Sequence, residues 1–150
     1  MGRIGKEEVN RKLLHILAVG FPAFIFYGPQ QVGLSKMEVV WVIFGIFCLA
    51  LAIDLIRIYS VSFRSWFFRR FGYMMRKQEE TQLTGATYII AGSLVCSGIS
   101  LWSEYFAASA FLSLTLFIIG DAAAAMCGKA FGKIKVGEKT LEGAIGCFVI

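Results

Sequence analysis

The sequence predicts an all-α fold. It is a polytopic transmembrane helix bundle of about five spans, the last one cut short, with an amphipathic helix at the membrane interface. Three observations predict it. The 150 residues are 57% hydrophobic and only 17% charged, with a mean hydropathy of +0.69, whereas soluble domains run near 45–50% apolar and about 25% charged. The charges gather between long apolar runs, as short wet loops between spanning segments require. Nearly all the lysine and arginine falls on alternate connections, which a soluble chain has no reason to arrange.

The first apolar run, Leu13 to Tyr27, contains Pro22 and is short for a bilayer of about 30 Å, so it is expected to borrow length from a helix beginning near Glu7. The second runs from Val39 to Tyr59, with Asp54 and Arg57 near its end. These two lie one turn apart and are expected to neutralise each other. The third, Leu83 to Trp102, carries no charge, and the fourth, Tyr105 to about Gly128, carries Asp121. The fifth begins near Leu141 and ends with no cap, charge or polar tail, so the fold is expected to continue past Ile150. Each complete later run approaches the roughly 20 residues of a spanning helix, the only structure besides a closed barrel that satisfies its backbone in lipid. The whole reads as a single membrane domain.

Orientation follows from the basic residues. Arg3, Lys6, Arg11 and Lys12 precede the first run. Arg57, Arg64, Arg69, Arg70, Arg76 and Lys77 follow the second, and Lys129, Lys133, Lys135 and Lys139 precede the fifth. Only Lys36 falls on the other side. The basic face is expected to be cytoplasmic, with the N-terminus on it. The net charge of +5 then suits anionic headgroups rather than nucleic acid. Between the second and third runs, Phe63, Trp66, Phe67, Phe71 and Met74 recur at helical spacing, with Arg64, Arg69 and Arg76 elsewhere on the wheel, which predicts the interfacial helix. It serves as a lipid-facing anchor or as a cradle for a lipid substrate. The four cysteines, Cys48, Cys96, Cys127 and Cys147, sit in apolar runs without a CxxC pair, which argues against zinc and against a disulfide framework.

An ionisable group inside a span costs about 2.5–3.5 kcal/mol on insertion scales and is a functional candidate by default. Asp121 is that group, unless it merely pairs with a lysine of the next loop. On a helix it shares a face with Ala124, Ala125 and Gly128, small residues that let a helix or a ligand come close. Gly128 and Gly132 bracket a turn. Lys133, Lys135, Lys139, Thr140, Glu142 and Gly143 follow. Glycine backbone with several lysines suits a polyphosphate, and an acid at each end suits the Mg²⁺ that travels with it. The spacing is not that of a Walker loop. On the same predicted face lie His15, the only histidine, and Glu79-Glu80, acids that suit the N-terminal dipole of the third helix or provide a further metal or hydroxyl contact.

Three blocks, in order, resemble the CTP-dependent lipid-alcohol kinases, a group that includes dolichol kinase, phytol kinase and the CTP-dependent diacylglycerol kinase and is related to the phosphatidate cytidylyltransferases. Arg11-Lys12-Leu13-Leu14-His15 resembles their R-K-x-x-H opening. Glu79 or Glu80 with Leu83-Thr84-Gly85-Ala86 resembles the second block. Gly120-Asp121 through Gly128 and Gly132 to Lys139-Thr140-Leu141-Glu142-Gly143 resembles the nucleotide block. Two departures stand out: Ala122 follows the aspartate where Gly or Thr is usual, and members usually continue for one or more helices beyond the Glu-Gly pair. The resemblance implies phosphoryl transfer from CTP, with Mg²⁺, to the hydroxyl of a lipid alcohol (a polyprenol, phytol or diacylglycerol) at the cytoplasmic face. On that reading Lys133, Lys135 and Lys139 hold the triphosphate, with Gly128, Gly132, Thr140 and Gly143 around it. Asp121, with Glu142 as partner, binds Mg²⁺, and His15 or Glu80 positions or deprotonates the hydroxyl. Cytidylyl transfer to a phospholipid phosphate is the alternative in the same chemistry. A non-catalytic scaffold or transporter is the alternative outside it.

Overall fold

The computed structural model describes residues 16–72, 75, 77–137 and 139–149. His15 and the basic N-terminal residues, and likewise Met74 and Arg76, lie outside the described residues. The described chain is mostly helical, and two of its helices are long and apolar enough to cross a membrane. It divides into two compact units, one of residues 20–111 and the other, among the described residues, of 16–19 with 112–149.

In the first unit, helix α1 (Gly20–Tyr27) is shorter than the predicted span. A turn closed by the Val19 N–H on the Ile16 carbonyl (3.0 Å) precedes it. Pro22 has no N–H to bond the carbonyl of residue 18, so a continuous helix is disfavoured there. A π-helical turn (Gly28–Val32) follows and ends at Gly33, whose φ of 72° is open to glycine. Helix α2 (Lys36–Tyr59) begins at a capping box: the Ser35 hydroxyl accepts from the Glu38 N–H (3.2 Å), and Glu38 accepts from the Ser35 N–H (2.6 Å). Its 24 residues reach about 36 Å, enough for a bilayer core.

Ser60, in extended conformation, ends α2 and caps helix α3 (Val61–Phe71) by accepting from the Phe63 N–H (3.4 Å). Arg64 reaches back to the carbonyls of Arg57 (3.2 Å) and Ile58, otherwise unpaired at the end of α2. The predicted aromatic face is present. Phe63 meets Trp66 and Phe67, and Phe71 meets Trp66 and Phe67, with ring centroids 5.0–6.4 Å apart, while Arg69 and Arg70 are exposed.

A 3₁₀ turn (Lys77–Glu80) leads to helix α4 (Gly85–Ile99), capped by the Thr84 hydroxyl. Its buried face is Thr87, Ile90, Ser93 and Ser97, and the small Thr87, Ser93 and Ser97 bring it close along α2. At 15 residues this helix falls short of the predicted span. Successive turns at Ser100, Leu101 and Trp102 end it early. Helix α5 (Glu104–Phe131) starts with Lys36 bridging Glu104 at 2.7 Å, so α2 and α5 begin side by side.

In the second unit, α5 continues through Gly128, three residues beyond which its last turn closes. The predicted turn therefore begins at Gly132 rather than at Gly128. Two short antiparallel strands, β1 (Lys135–Val136) and β2 (Lys139–Thr140), pair Lys135 with Thr140 and Val136 with Lys139. This hairpin was not read from the sequence. Gly137, at φ 64°, makes its turn. Helix α6 (Leu141–Val149) follows.

Candidate functional site

Two groups of the predicted residues are built by the fold, one in each unit.

The first group is the glycine-rich connection. Gly120 faces Cys147, Gly146 faces Cys127, Gly143 faces Ala124 and Gly128, and Gly128 and Gly132 face Thr140. The pairing descends one helix as it climbs the other, so α5 and α6 form an antiparallel hairpin at close range. A Cβ on Gly128 would lie 2.6 Å from the Thr140 hydroxyl, and one on Gly143 would lie 2.7 Å from the Ala124 carbonyl. These glycines therefore give close backbone approach, the packing role that the sequence also allowed. Gly128, Gly132, Thr140 and Gly143 are brought together.

Above this contact, the Glu142 carboxylate accepts from the N–H groups of Lys133 (3.0 Å) and Ile134 (3.2 Å). Its own backbone N–H and that of Lys133 hold its carboxyl below the usual range, against the opposing effect of burial, with a lesser contribution from the Ile134 N–H. Two adjacent main-chain donors beside exposed Lys133 and Lys135 make an environment for an anion, and Glu142 is the anion that the chain itself supplies there. The Thr140 hydroxyl accepts from the Gly143 N–H (3.3 Å). Lys139 lends its backbone to β2. Asp121 is half-buried on α5, two helical turns (about 10.5 Å) before Gly128.

Among the described residues, no three histidine, cysteine or acidic side chains cluster to hold a metal. A nucleotide-borne Mg²⁺ asks for less, one or two carboxylates with the phosphates and water completing the shell. Glu142 is a carboxylate at the exposed loop, with oxygen lone pairs that its amide partners leave over, whereas Asp121 lies about 10.5 Å back along α5 from Gly128 and is not beside it.

The second group surrounds Asp54 and Arg57. Both are fully buried, 2% and 0% exposed, and they pair at 3.0 Å as expected. What the sequence did not reveal is what else they hold. Arg57 donates to the main-chain carbonyls of Glu79, Glu80 (3.4 Å) and Gln82 (2.7 Å). The other oxygen of Asp54 accepts from the Thr84 N–H (2.7 Å), the Thr84 hydroxyl (3.0 Å) and the Thr87 hydroxyl (2.8 Å). The acids precede α4 rather than lying in its first turn. Glu79 still caps it, accepting from the Gly85 N–H (3.2 Å). The Glu80 side chain is exposed. The signal for this cluster was the cost of an ionisable pair inside an apolar run, with Thr84 and Thr87 as hydroxyls at the start of the next one.

No family model matches the chain, and no solved structure matches it. It is 28% identical over 144 residues to an uncharacterized protein of Rickettsia prowazekii (strain Madrid E), covering 95% of this chain and 66% of that protein. The chain thus spans just under two-thirds of that relative's length.

Proposed function

We propose that the chain is the site-bearing part of a multi-pass membrane kinase that moves a phosphoryl group from CTP to the hydroxyl of a lipid alcohol at the cytoplasmic face. Its N-terminus lies on that face, and about five segments cross the bilayer. The observation that carries the reading is the α5–α6 hairpin. It gathers Gly128, Gly132, Thr140, Gly143 and the paired amides of Lys133 and Ile134 beside exposed lysines, at the end of an apolar helix that carries Asp121. Membrane residence is supported by the character of the two long helices: only 17% and 22% of their most apolar stretches are buried within the protein. Trp41, Leu49, Leu116 and Phe117 face outward, a pattern that lipid satisfies and water does not. Lys36 beside Glu104 is consistent with α2 and α5 entering from the same side.

In the reaction, the lipid oxygen bonds to the γ-phosphorus as the bond to the β–γ bridging oxygen breaks. CDP leaves, and the hydroxyl proton passes to a base at the reacting end. Lys133, Lys135 and Lys139 neutralise the phosphates. Asp121 or Glu142 would hold the Mg²⁺ that travels with the nucleotide, and the metal would supply charge neutralisation. Such chemistry needs mainly alignment and electrostatics.

The test supplies γ-labelled CTP, or ATP in parallel, with Mg²⁺ and a panel of lipid alcohols to the protein in liposomes. Label is expected in the organic phase with CTP, and its absence with Asp121→Asn, which should still fold. A CDP-lipid with released pyrophosphate would instead identify a cytidylyltransferase. Undiminished turnover in Asp121→Asn, or no transfer from any donor by folded protein, would refute the reading.

A further inference from the structure

The outward face of α3 is not the aromatic stripe that its sequence suggests. Phe63, Phe67 and Phe68 are half-buried. So is Arg64, which is committed to the carbonyls of Arg57 and Ile58 at the end of α2. Trp66, by contrast, is 53% exposed. Arg69 and Arg70, three and four residues on, are its neighbours on the helix surface and are exposed as well. The face turned outward is thus an indole with two guanidinium groups one turn further along. Helix α3 contains no acid, and among the described residues no carboxylate pairs with Arg69 or Arg70. The Nε of Arg69 donates to the Ser65 carbonyl (3.4 Å), which holds that side chain along its own helix. The chain also sets where this face lies. Ser60 joins α3 directly to the end of α2, a helix long enough to cross a bilayer. Tyr59, just before the junction, is 83% exposed, and exposed Tyr and Trp gather at the level of the headgroups. Lipid phosphates lie at that level, and the planar fork of arginine matches a phosphate with two parallel hydrogen bonds.

We infer that the outward face of α3 is a docking surface for anionic phospholipid, with Trp66 at the headgroup level and Arg69 and Arg70 on the negative headgroup. The inference rests on membrane residence and is independent of the phosphoryl-transfer chemistry. It divides the arginines of α3 by role: Arg64 caps α2, whereas Arg69 and Arg70 select the lipid. A basic residue at an anionic bilayer surface contributes a preference of about 5-fold. The pair should therefore favour an anionic over a zwitterionic lipid by about 10- to 30-fold.

The experiment uses the full chain in liposomes, with Trp41→Phe and Trp102→Phe so that Trp66 is the only tryptophan left of three. The bilayer is phosphatidylcholine with a minor share of phosphatidylglycerol. Bromine is carried near the headgroup by one lipid or by the other, at equal mole fraction. Brominated phosphatidylglycerol is expected to quench Trp66 well beyond its share of the bilayer, and brominated phosphatidylcholine is not. Arg69→Gln with Arg70→Gln should remove that excess while leaving quenching by phosphatidylcholine and the melting temperature unchanged. If the double variant does not fold, each substitution is read singly and should lower the preference by about 5-fold. Equal quenching by the two lipids, or an excess that survives loss of the arginines, would overturn the docking role. Absence of quenching by either lipid would overturn it by placing α3 off the bilayer. Failure of the chain to float with liposomes would overturn membrane residence along with it.

Discussion

Gly143→Ala tests whether the α5–α6 contact is as close as the structure has it. The added methyl would sit 2.7 Å from the Ala124 carbonyl oxygen, 3.1 Å from the Thr140 hydroxyl and 3.2 Å from the Gly128 Cα. The first distance is about 0.7 Å inside the 3.4 Å at which ordinary contact begins. Two of the three obstacles are main-chain atoms, which cannot rotate away. The two helices must separate, and overpacking of this kind costs about 1–3 kcal/mol. Alanine returns up to about 1 kcal/mol through helix propensity, so a net loss of up to about 2 kcal/mol remains. Gly92→Ala is the matched control. It lies inside α4 with nothing within 4 Å of its added methyl, so only the propensity gain applies and stability should hold or rise. Denaturant titration of both variants in detergent, followed by helical circular dichroism, gives the two midpoints. If Gly143→Ala is as stable as Gly92→Ala, the close approach is wrong, and with it the gathering of Gly128, Thr140 and Gly143.

Four further outcomes are expected. Arg57→Leu leaves Asp54 buried without its countercharge and the carbonyls of Glu79, Glu80 and Gln82 without their donor, and should cost about 3–5 kcal/mol in the same titration. Ser35→Ala removes the cap of α2 and should cost about 1 kcal/mol, read as a lower midpoint and greater amide exchange at residues 36–38. The Glu142 carboxyl titrates below the usual range because main-chain N–H groups hold its charged form. The stability it lends the 132–143 connection should therefore be full above the usual carboxylate range, decline as pH falls through that range and be lost below the lowered value. Intrinsic-rate-corrected exchange at Lys133 and Ile134 would show this, and loss of protection already near neutral pH would contradict it. Trp66 on α3 should be quenched by bromolipids labelled just below the headgroup more strongly than by those labelled at the chain ends; the reverse would place this helix elsewhere than the interface.

The long helices were legible because their signals are local. The apolar run alone set α2 within three residues, and small-residue spacing marked Gly128 as a point of close approach. The aromatic stripe of α3 likewise depends only on periodicity. Failures came where a neighbour decides. Composition made 83–102 one run, but the turns at Ser100 to Trp102 end its helix at Ile99, and Pro22 shortens the first. Acids before a helix read as dipole partners, and Glu79 does cap α4. Asp54 and Arg57 read as a self-neutralising pair, which they are. That they also hold residues 79–87 depends on contacts between residues 22 to 33 positions apart. Spacing along one helix cannot report such contacts.

By itself, the sequence determined that the chain is helical and apolar, which residues are charged where charge is costly, and which glycines allow close approach. Those properties follow from the periodicity and transfer energy of each residue. Only the tertiary structure decided that Glu142 turns onto the amides of Lys133 and Ile134, and that one arginine satisfies three carbonyls of a distant turn. The reason is physical: a buried donor or acceptor must find a partner, and which partner it finds is fixed by packing in space rather than by order along the chain.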